Sequence, residues 1–138
     1  MEKAVFNAEV QDLHRILQWV RTHLEKGGFE AAAIRRMELA SEEALVNVIS
    51  HGYQGKRGKV EIGLKWNPGL IEITVKDWGP PFDPLANAPR VDPQAPLEER
   101  GTGGLGIYLI GQIMDELIYQ REKDANVLVM IKRFSRTK

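Results

Sequence analysis

A glycine-rich stretch in the last third of the chain has the spacing of a phosphate-binding loop. The letters "GTGGLG" match G-x-G-x-x-G and stand before an apolar segment, which puts four glycines at the start of a predicted helix: Gly101, Gly103, Gly104 and Gly106. Free backbone amides and the positive end of a helix dipole bind phosphate at such a place. The pattern alone is weak evidence, because glycines at this spacing also occur in ordinary turns.

A carboxylate and an amide lie together in a second stretch. Asn47 stands inside the apolar run "ALVNVI", where an unpaired amide costs about 1 to 3 kcal/mol. Glu43 precedes it by four residues, a spacing that puts both side chains on one face of a helix, about 5 to 6 Å apart at Cβ. The pair could form part of a site, or it could be a polar stripe at the edge of a core helix.

The third stretch is "VKDWGPPFD", residues 75 to 83, where an acidic residue ends an apolar strand. Asp77 at this position could accept a hydrogen bond from a ligand amine, and Gly79 would let backbone approach a ligand closely. The alternative is that the aspartate and the glycine only begin a turn.

Two familiar origins of the glycine pattern are excluded by its context. In a dinucleotide-binding fold the glycines follow directly from a buried strand, whereas here they follow "DPQAPLEER". A protein-kinase glycine loop belongs to a much larger domain with a strand lysine and with H-R-D and D-F-G motifs, none of which this sequence contains.

The apolar periodicity predicts the elements that must position these residues. Helical spacing is found over residues 8–25 and 30–51, strand alternation indicates a hairpin over 58–77, and the segment 105–117 is apolar enough for a buried helix. A last hairpin is predicted from 118–121 and 127–134, with a short first strand at 3–6. Such an order predicts an α+β fold, with helices on one face of a mixed, largely antiparallel sheet.

A long loop is predicted between the first hairpin and the glycines. Six of the seven prolines lie between Pro80 and Pro96, so regular structure is not expected there. Loops longer than about 12 to 15 residues are uncommon in compact domains and often serve as lids over active sites. We therefore expect a lid over about residues 80–100.

Composition narrows the class of protein. With 19 basic and 19 acidic residues the formal charge is zero, so no overall field attracts nucleic acid or an anionic membrane. The chain has no cysteine, and its histidines His14, His23 and His51 lack metal-ligand spacing. No apolar stretch reaches about 18 residues. We expect a single cytoplasmic domain, residues 1–138, that makes no direct contact with nucleic acid or membrane.

Taken together and in this order, the three stretches resemble a known family. "EALVN" resembles the N box, "DWG" the first glycine box and "GTGGLGI" the second glycine box of the ATP-binding domain shared by gyrase, histidine kinases and the mismatch-repair ATPase. Within these GHKL ATPases, "SEEALVNVISHGY" and "GGLGIYLI" look most like bacterial anti-sigma factor serine kinases. The resemblance implies a two-layer α/β sandwich of the Bergerat type.

The resemblance also implies roles for individual residues. Asn47 would coordinate the Mg²⁺ that bridges the ATP phosphates, and amide oxygen suits this hard cation. Glu43 would be the general base toward a serine hydroxyl, with Glu42 as the alternative if the register differs by one. Asp77 would accept the adenine amino group, and Gly79 would admit the base. The remaining nucleotide-binding residues would be the four glycines, with Thr102 as a hydroxyl donor and Arg100 near the γ-phosphate.

One departure from the family pattern weakens the histidine-kinase alternative. Pro81 stands where histidine kinases usually have the last glycine of D-x-G-x-G, and His14 on a short helix is a poor phosphoacceptor. The anti-sigma resemblance implies a homodimer that binds a sigma factor and phosphorylates a serine of an anti-anti-sigma antagonist. Four arginines near the first helices could contact these partners: Arg15, Arg21, Arg35 and Arg36. The alternative function is a binding module that holds ATP without transferring phosphate.

Overall fold

The computed structural model describes residues 1–53, 56–87 and 103–134. These residues form five strands and four helices, with a 3-10 turn at Val10–Asp12 before the first helix. The strands are β1 (Glu2–Asn7), β2 (Lys59–Asn67), β3 (Leu70–Asp77), β4 (Glu116–Glu122) and β5 (Ala125–Arg133). The helices are α1 (Leu13–Lys26), α2 (Ala31–Asn47), α3 (Pro84–Asn87) and α4 (Gly103–Ile113).

The strands form one sheet in the order β1-β2-β3-β5-β4. The sequence predicted a mixed, largely antiparallel sheet, but every pairing among the described strands is antiparallel. The alternation of apolar residues determines which face of each strand is buried, and in β3 every second side chain, from Ile71 to Asp77, is buried. The two-layer α+β arrangement predicted from the element order is confirmed.

The core lies between the sheet and the helices. It joins Ile16, Val20 and Leu24 of α1 and Leu45 of α2 to the buried side chains of the central strands. Helix α2 packs between α1 and α4. The face of α2 that contacts α4 is therefore the face whose side chains can contribute to a site beside α4.

Two predicted helix boundaries are wrong, at the start of α1 and at the end of α4. Val10 is exposed in the 3-10 turn, and α1 begins only at Leu13. Helix α4 ends at Ile113 instead of continuing to residue 117, because the backbone N–H of Asp115 donates to Ile131 O of β5 at 2.8 Å and starts the sheet pairing. The proline-rich segment, for which no regular structure is expected, contains a short helix, α3. Pro84 occupies its first turn, where the missing N–H is not needed.

Helix α2 was predicted to continue to residue 51, but it changes at Asn47 into a π turn, Val48–Gly52. The N–H of Tyr53 donates to Val48 O at 3.1 Å, five residues back, which widens this last turn. Asn47 therefore stands at the end of the regular helix.

No helix in the described part of the chain is long and apolar enough to cross a membrane.

Candidate functional site

A cleft opens between the end of α2 and the β3, β5 and β4 part of the sheet. Two of the predicted site residues, Asn47 and Asp77, line it. The other lining residues come from the start of the proline-rich segment and from both layers of the fold: Ala44, Val48, Val75, Phe82, Pro84, Tyr119, Asn126 and Leu128. Its wall is mostly apolar, with a few polar groups, which is the usual character of a small-molecule site.

Asp77 is held at the sheet end of the cleft with one oxygen occupied and one available. Its side chain is buried, with the residue 5% exposed. Oδ1 accepts from the N–H of Gly79 at 2.9 Å and from Nδ2 of Asn126 at 3.0 Å. Within the described part of the chain, no protein group donates to Oδ2. The carboxylate thus offers one acceptor atom to a ligand.

Asn126 connects Asp77 to the loop that follows it. It faces Asp77 across the β3–β5 ladder and is 4% exposed. Its Nδ2 also donates to Pro80 O at 2.9 Å, while its Oδ1 accepts from the N–H of Phe82 at 3.2 Å and from the hydroxyl of Tyr119. Buried amides are normally paired in this way, and the pairing fixes which end of the amide faces Asp77.

Tyr53 fixes the other side of the same loop. Its hydroxyl donates to Lys59 O and accepts from the N–H of Trp78 at 2.9 Å. Burial raises the pKa of this phenol above its ordinary value, so that it keeps its proton at neutral pH. Tyr53 therefore joins the end of α2 to the backbone next to Asp77.

Asn47 carries an amide with no protein partner. Its Nδ2 is buried and makes no hydrogen bond to any described residue. Leaving such a group unpaired costs about 1 to 3 kcal/mol. A 180° rotation of the amide exchanges nitrogen and oxygen, so the buried end can present a donor to a phosphate oxygen or an acceptor to a cation. An unpaired amide on the wall of a cleft fits a bound Mg²⁺ and nucleotide.

Glu43 lies one helical turn before Asn47 and contacts α4. A Cβ placed on Gly106 would stand 2.8 Å from Glu43 Oε2, which is closer than real Cβ atoms approach an oxygen. Glycine at position 106 therefore leaves the space that this carboxylate occupies. Burial, and to a lesser extent the charge of Glu42, raises the pKa of Glu43 above its ordinary value of 4.5.

The structure separates the two glutamates that the sequence left as alternatives. Glu42 lines a groove between α1 and α2 together with His14, Arg21 and Arg35, on the side of α2 away from α4. Arg21 in this groove pairs with Glu38 at 2.8 Å. Glu43, rather than Glu42, shares a region with Asn47 and the glycine-rich helix start.

The predicted site residues divide into three groups: those that line the cleft or contact each other near it, those in the first turn of α4, and those outside the described residues. Asn47 and Asp77 line one cleft, Gly79 hydrogen-bonds to Asp77, and Gly106 contacts Glu43. Gly103 and Gly104 form the first turn of α4, as predicted. Arg100, Gly101 and Thr102, and the predicted lid beyond residue 87, lie outside the described residues.

Sequence analysis missed the residues that support Asp77 from the last hairpin. Asn126 and Tyr119 are separated from Asp77 by more than forty positions, and their types are common in strands and turns. The local signal was Asn126 itself, the last residue of "KDAN", and asparagine at such a place is equally typical of a turn. No group of three or more acidic, histidine or cysteine side chains among the described residues could hold a metal by itself. A cation here would therefore need ligands from its nucleotide as well as from Asn47.

Comparison with known proteins identifies the family. The model of the histidine kinase-like ATPase domain matches residues 6–132. The serine-protein kinases RsbW of Bacillus cereus (strain AH820) and of Bacillus anthracis (strain CDC 684 / NRRL 3495) are each 31% identical over 105 residues, which is 74% of this chain and 66% of the relative. RsbW of Bacillus thuringiensis (strain Al Hakam) is similar to the same extent.

The chain thus spans slightly less than two thirds of the length of these curated relatives. Among solved structures, the catalytic domain of histidine kinase ThkA has a TM-score of 0.47 and 16% identity over 96% of both chains. The family match covers both Asp77 and the glycine-rich start of α4, and it extends to the last strand. The chain belongs to the histidine kinase-like ATPase domain family.

Proposed function

We propose that this protein is a Mg-ATP-dependent protein-serine kinase that binds a sigma factor and phosphorylates a serine of its anti-anti-sigma antagonist. One observation carries the kinase proposal: the free Oδ2 of Asp77 and the unpaired amide of Asn47 lie on one cleft, and Glu43 stands one helical turn from Asn47. The similarity to relatives named serine-protein kinases supports the choice of a serine hydroxyl as acceptor.

In this proposal, different residues of the cleft bind the adenine and the phosphates of Mg-ATP. Asp77 Oδ2 accepts from the amino group of adenine, against the apolar wall formed by Val75 and Leu128. Asn47, at the end of α2, faces the phosphates and the cation. The first amides of α4, at Gly103 and Gly104, are directed toward negative charge by the helix dipole. Mg²⁺, when bound, supplies positive charge that lowers the barrier to phosphoryl transfer.

Glu43 acts on the acceptor serine. Its carboxylate takes the hydroxyl proton as the serine oxygen bonds to the γ-phosphorus, and the bond from that phosphorus to the bridging oxygen breaks, with the electron pair leaving on ADP. A base is most effective when its pKa lies near the working pH, and burial moves the pKa of Glu43 in that direction. Gly106 keeps the carboxylate in its position against α4.

The partners follow from the resemblance to anti-sigma factor kinases. We propose that both bind near α1 and α2, where Arg21 and Arg35 line an open groove and Arg15 and Arg36 are exposed. We further propose that the protein acts as a homodimer in the cytoplasm.

A titration and a phosphoryl-transfer assay test the proposal. Calorimetry with ATP, with and without Mg²⁺, should give magnesium-dependent binding to the wild type and none to Asp77→Asn, because the free acceptor becomes an amide that can also donate. Absence of binding to the wild type would refute the nucleotide site. Glu43→Gln should bind ATP normally and lose phosphoryl transfer to a purified antagonist protein. Unaltered transfer would refute the role of Glu43, and binding without transfer in the wild type would favour the non-catalytic module.

A further inference from the structure

The loop after Asp77 has no free backbone donor. The N–H of Trp78 donates to the Tyr53 hydroxyl, that of Gly79 to Asp77 Oδ1, and that of Phe82 to Asn126 Oδ1. Between them stand Pro80 and Pro81, which have no N–H at all. Every backbone donor from residue 78 to residue 82 is therefore engaged or missing.

Three side-chain donors of the last hairpin are engaged as well, those of Asn126 itself, of Tyr119 and of Arg121 Nη1. Both hydrogens of Asn126 Nδ2 are used, on Asp77 Oδ1 at 3.0 Å and on Pro80 O at 2.9 Å. Its Oδ1 accepts from the hydroxyl of Tyr119 and from Nη1 of Arg121 at 3.3 Å. Arg121 also donates to Gly79 O at 2.9 Å. One asparagine thus occupies the donors that would otherwise face the ligand.

The result is that the β3 wall of the cleft offers acceptors. Asp77 Oδ2 is available, and the described backbone donors of the loop after it are engaged, whereas the unpaired Nδ2 of Asn47 stands on the opposite wall, at the end of α2. A purine with an amino group at position 6 can donate to Oδ2. A purine with an oxygen at that position would set two acceptors against each other, and buried polar groups left unpaired in this way carry a large penalty.

We infer that Asn126 is a specificity-determining residue, which makes the site select 6-amino purine nucleotides over 6-oxo purine nucleotides. This inference rests on the proposed nucleotide site and goes beyond it, because it assigns base selection to a residue of β5. Asn126 acts through Asp77 and is a positioning residue: it orients the carboxylate with one oxygen outward and withholds the donors of Tyr119 and Arg121.

The test compares ATP with inosine triphosphate, in which an oxygen replaces the 6-amino group and N1 carries a hydrogen. Calorimetric titrations in Mg²⁺ are made on the wild type, on Asn126→Ala and on Asn67→Ala. Asn67 is a matched control, because its Oδ1 accepts from the N–H of Gly69 in the β2–β3 turn, outside the cleft. Both substitutions remove an asparagine that supports a loop.

We expect the wild type to prefer ATP by about tenfold or more, the cost of one mismatched hydrogen-bonding group. Asn126→Ala should bind ATP more weakly and bind inosine triphosphate as well or better, so that the preference falls to about twofold, while Asn67→Ala keeps the wild-type ratio. A general loss of structure would lower both affinities and leave their ratio unchanged.

Other outcomes separate this inference from the proposed function. A wild type that binds both nucleotides equally, or an Asn126→Ala variant that keeps the full preference, would overturn the inference and leave the ATP site standing. A wild type that binds neither nucleotide would overturn the proposed site and the inference with it. If Asn126→Ala does not fold, Tyr119→Phe removes one hydrogen bond that holds the Asn126 amide and so loosens the group that orients Asp77. It should lower the preference partly, and an unchanged preference would count against the inference.

Discussion

Replacing Gly106 by alanine should move the Glu43 carboxylate without unfolding the protein. The added Cβ would lie 2.8 Å from Glu43 Oε2, whereas ordinary contact begins at 3.4 Å, so the oxygen must retreat by about 0.6 Å. The atom that must move is the end of a flexible side chain, and the next atoms, Glu43 Cδ and Cβ, are at 3.7 and 3.8 Å. Alanine in a helix is favoured over glycine by about 0.5 to 1 kcal/mol, which offsets the cost of the shift.

The expected result is a loss of phosphoryl transfer with ATP binding retained. Misplacement of a catalytic group by about 1 Å can cost about 100-fold in rate, so a shift of this size should lower transfer by roughly 10- to 100-fold. The dissociation constant of ATP should change by less than about twofold, because in the proposed site the carboxylate acts on the acceptor serine and not on the nucleotide. The assay measures labelled phosphate transferred from ATP to an antagonist protein, alongside a calorimetric titration with Mg-ATP.

Gly111 provides the matched control on the same helix. It lies in α4 with no atom within 4 Å of an added Cβ, so Gly111→Ala should stabilise the helix to a similar degree and leave transfer unchanged. Normal transfer by Gly106→Ala would show that the close approach to Glu43 has no catalytic meaning. Loss of ATP binding by the same variant would show that position 106 serves the phosphates instead.

Three further predictions concern stability and surface charge. Burial raises the pKa of Glu43, so the stability contributed by its protonated form is lost as pH rises through that pKa. Glu43→Gln should therefore be more resistant to urea than the wild type at about pH 7. A variant of equal or lower resistance would contradict this. Tyr53→Phe leaves the N–H groups of Trp78 and Lys59 without their acceptor and should lower the free energy of unfolding by about 1 to 3 kcal/mol; a urea midpoint equal to that of the wild type would contradict the anchoring role. Arg21→Ala removes an exposed ion pair with Glu38 and should leave the urea midpoint nearly unchanged, because solvent screens such pairs. It should weaken binding to a partner measured by calorimetry, and unchanged binding would exclude Arg21 from the docking surface.

The sequence by itself determined the order and type of the main elements. The alternation in β2 and β3 and the helical spacing in α1 and α2 depend only on neighbouring residues, because each element must bury one face. The same local rules put Glu43 and Asn47 on one helix face and Asp77 at a strand end. They erred where a distant contact acts on a boundary, as at Tyr53, which turns the end of α2 into a π turn, and at Asp115, which ends α4 in favour of the sheet.

Only the tertiary structure decided what surrounds these residues. The β3–β5 register brings Asn126 to Asp77 across 49 positions, and no local pattern encodes that register. The packing of α2 against α4 places Glu43 beside Gly106, whereas its neighbour Glu42 lines the groove between α1 and α2, and spacing in the sequence did not reveal this difference. Spacing along the chain specifies which side chains share a face, whereas hydrogen-bond partners and close approaches depend on how separate elements meet, and this is why the cleft could be predicted only in part.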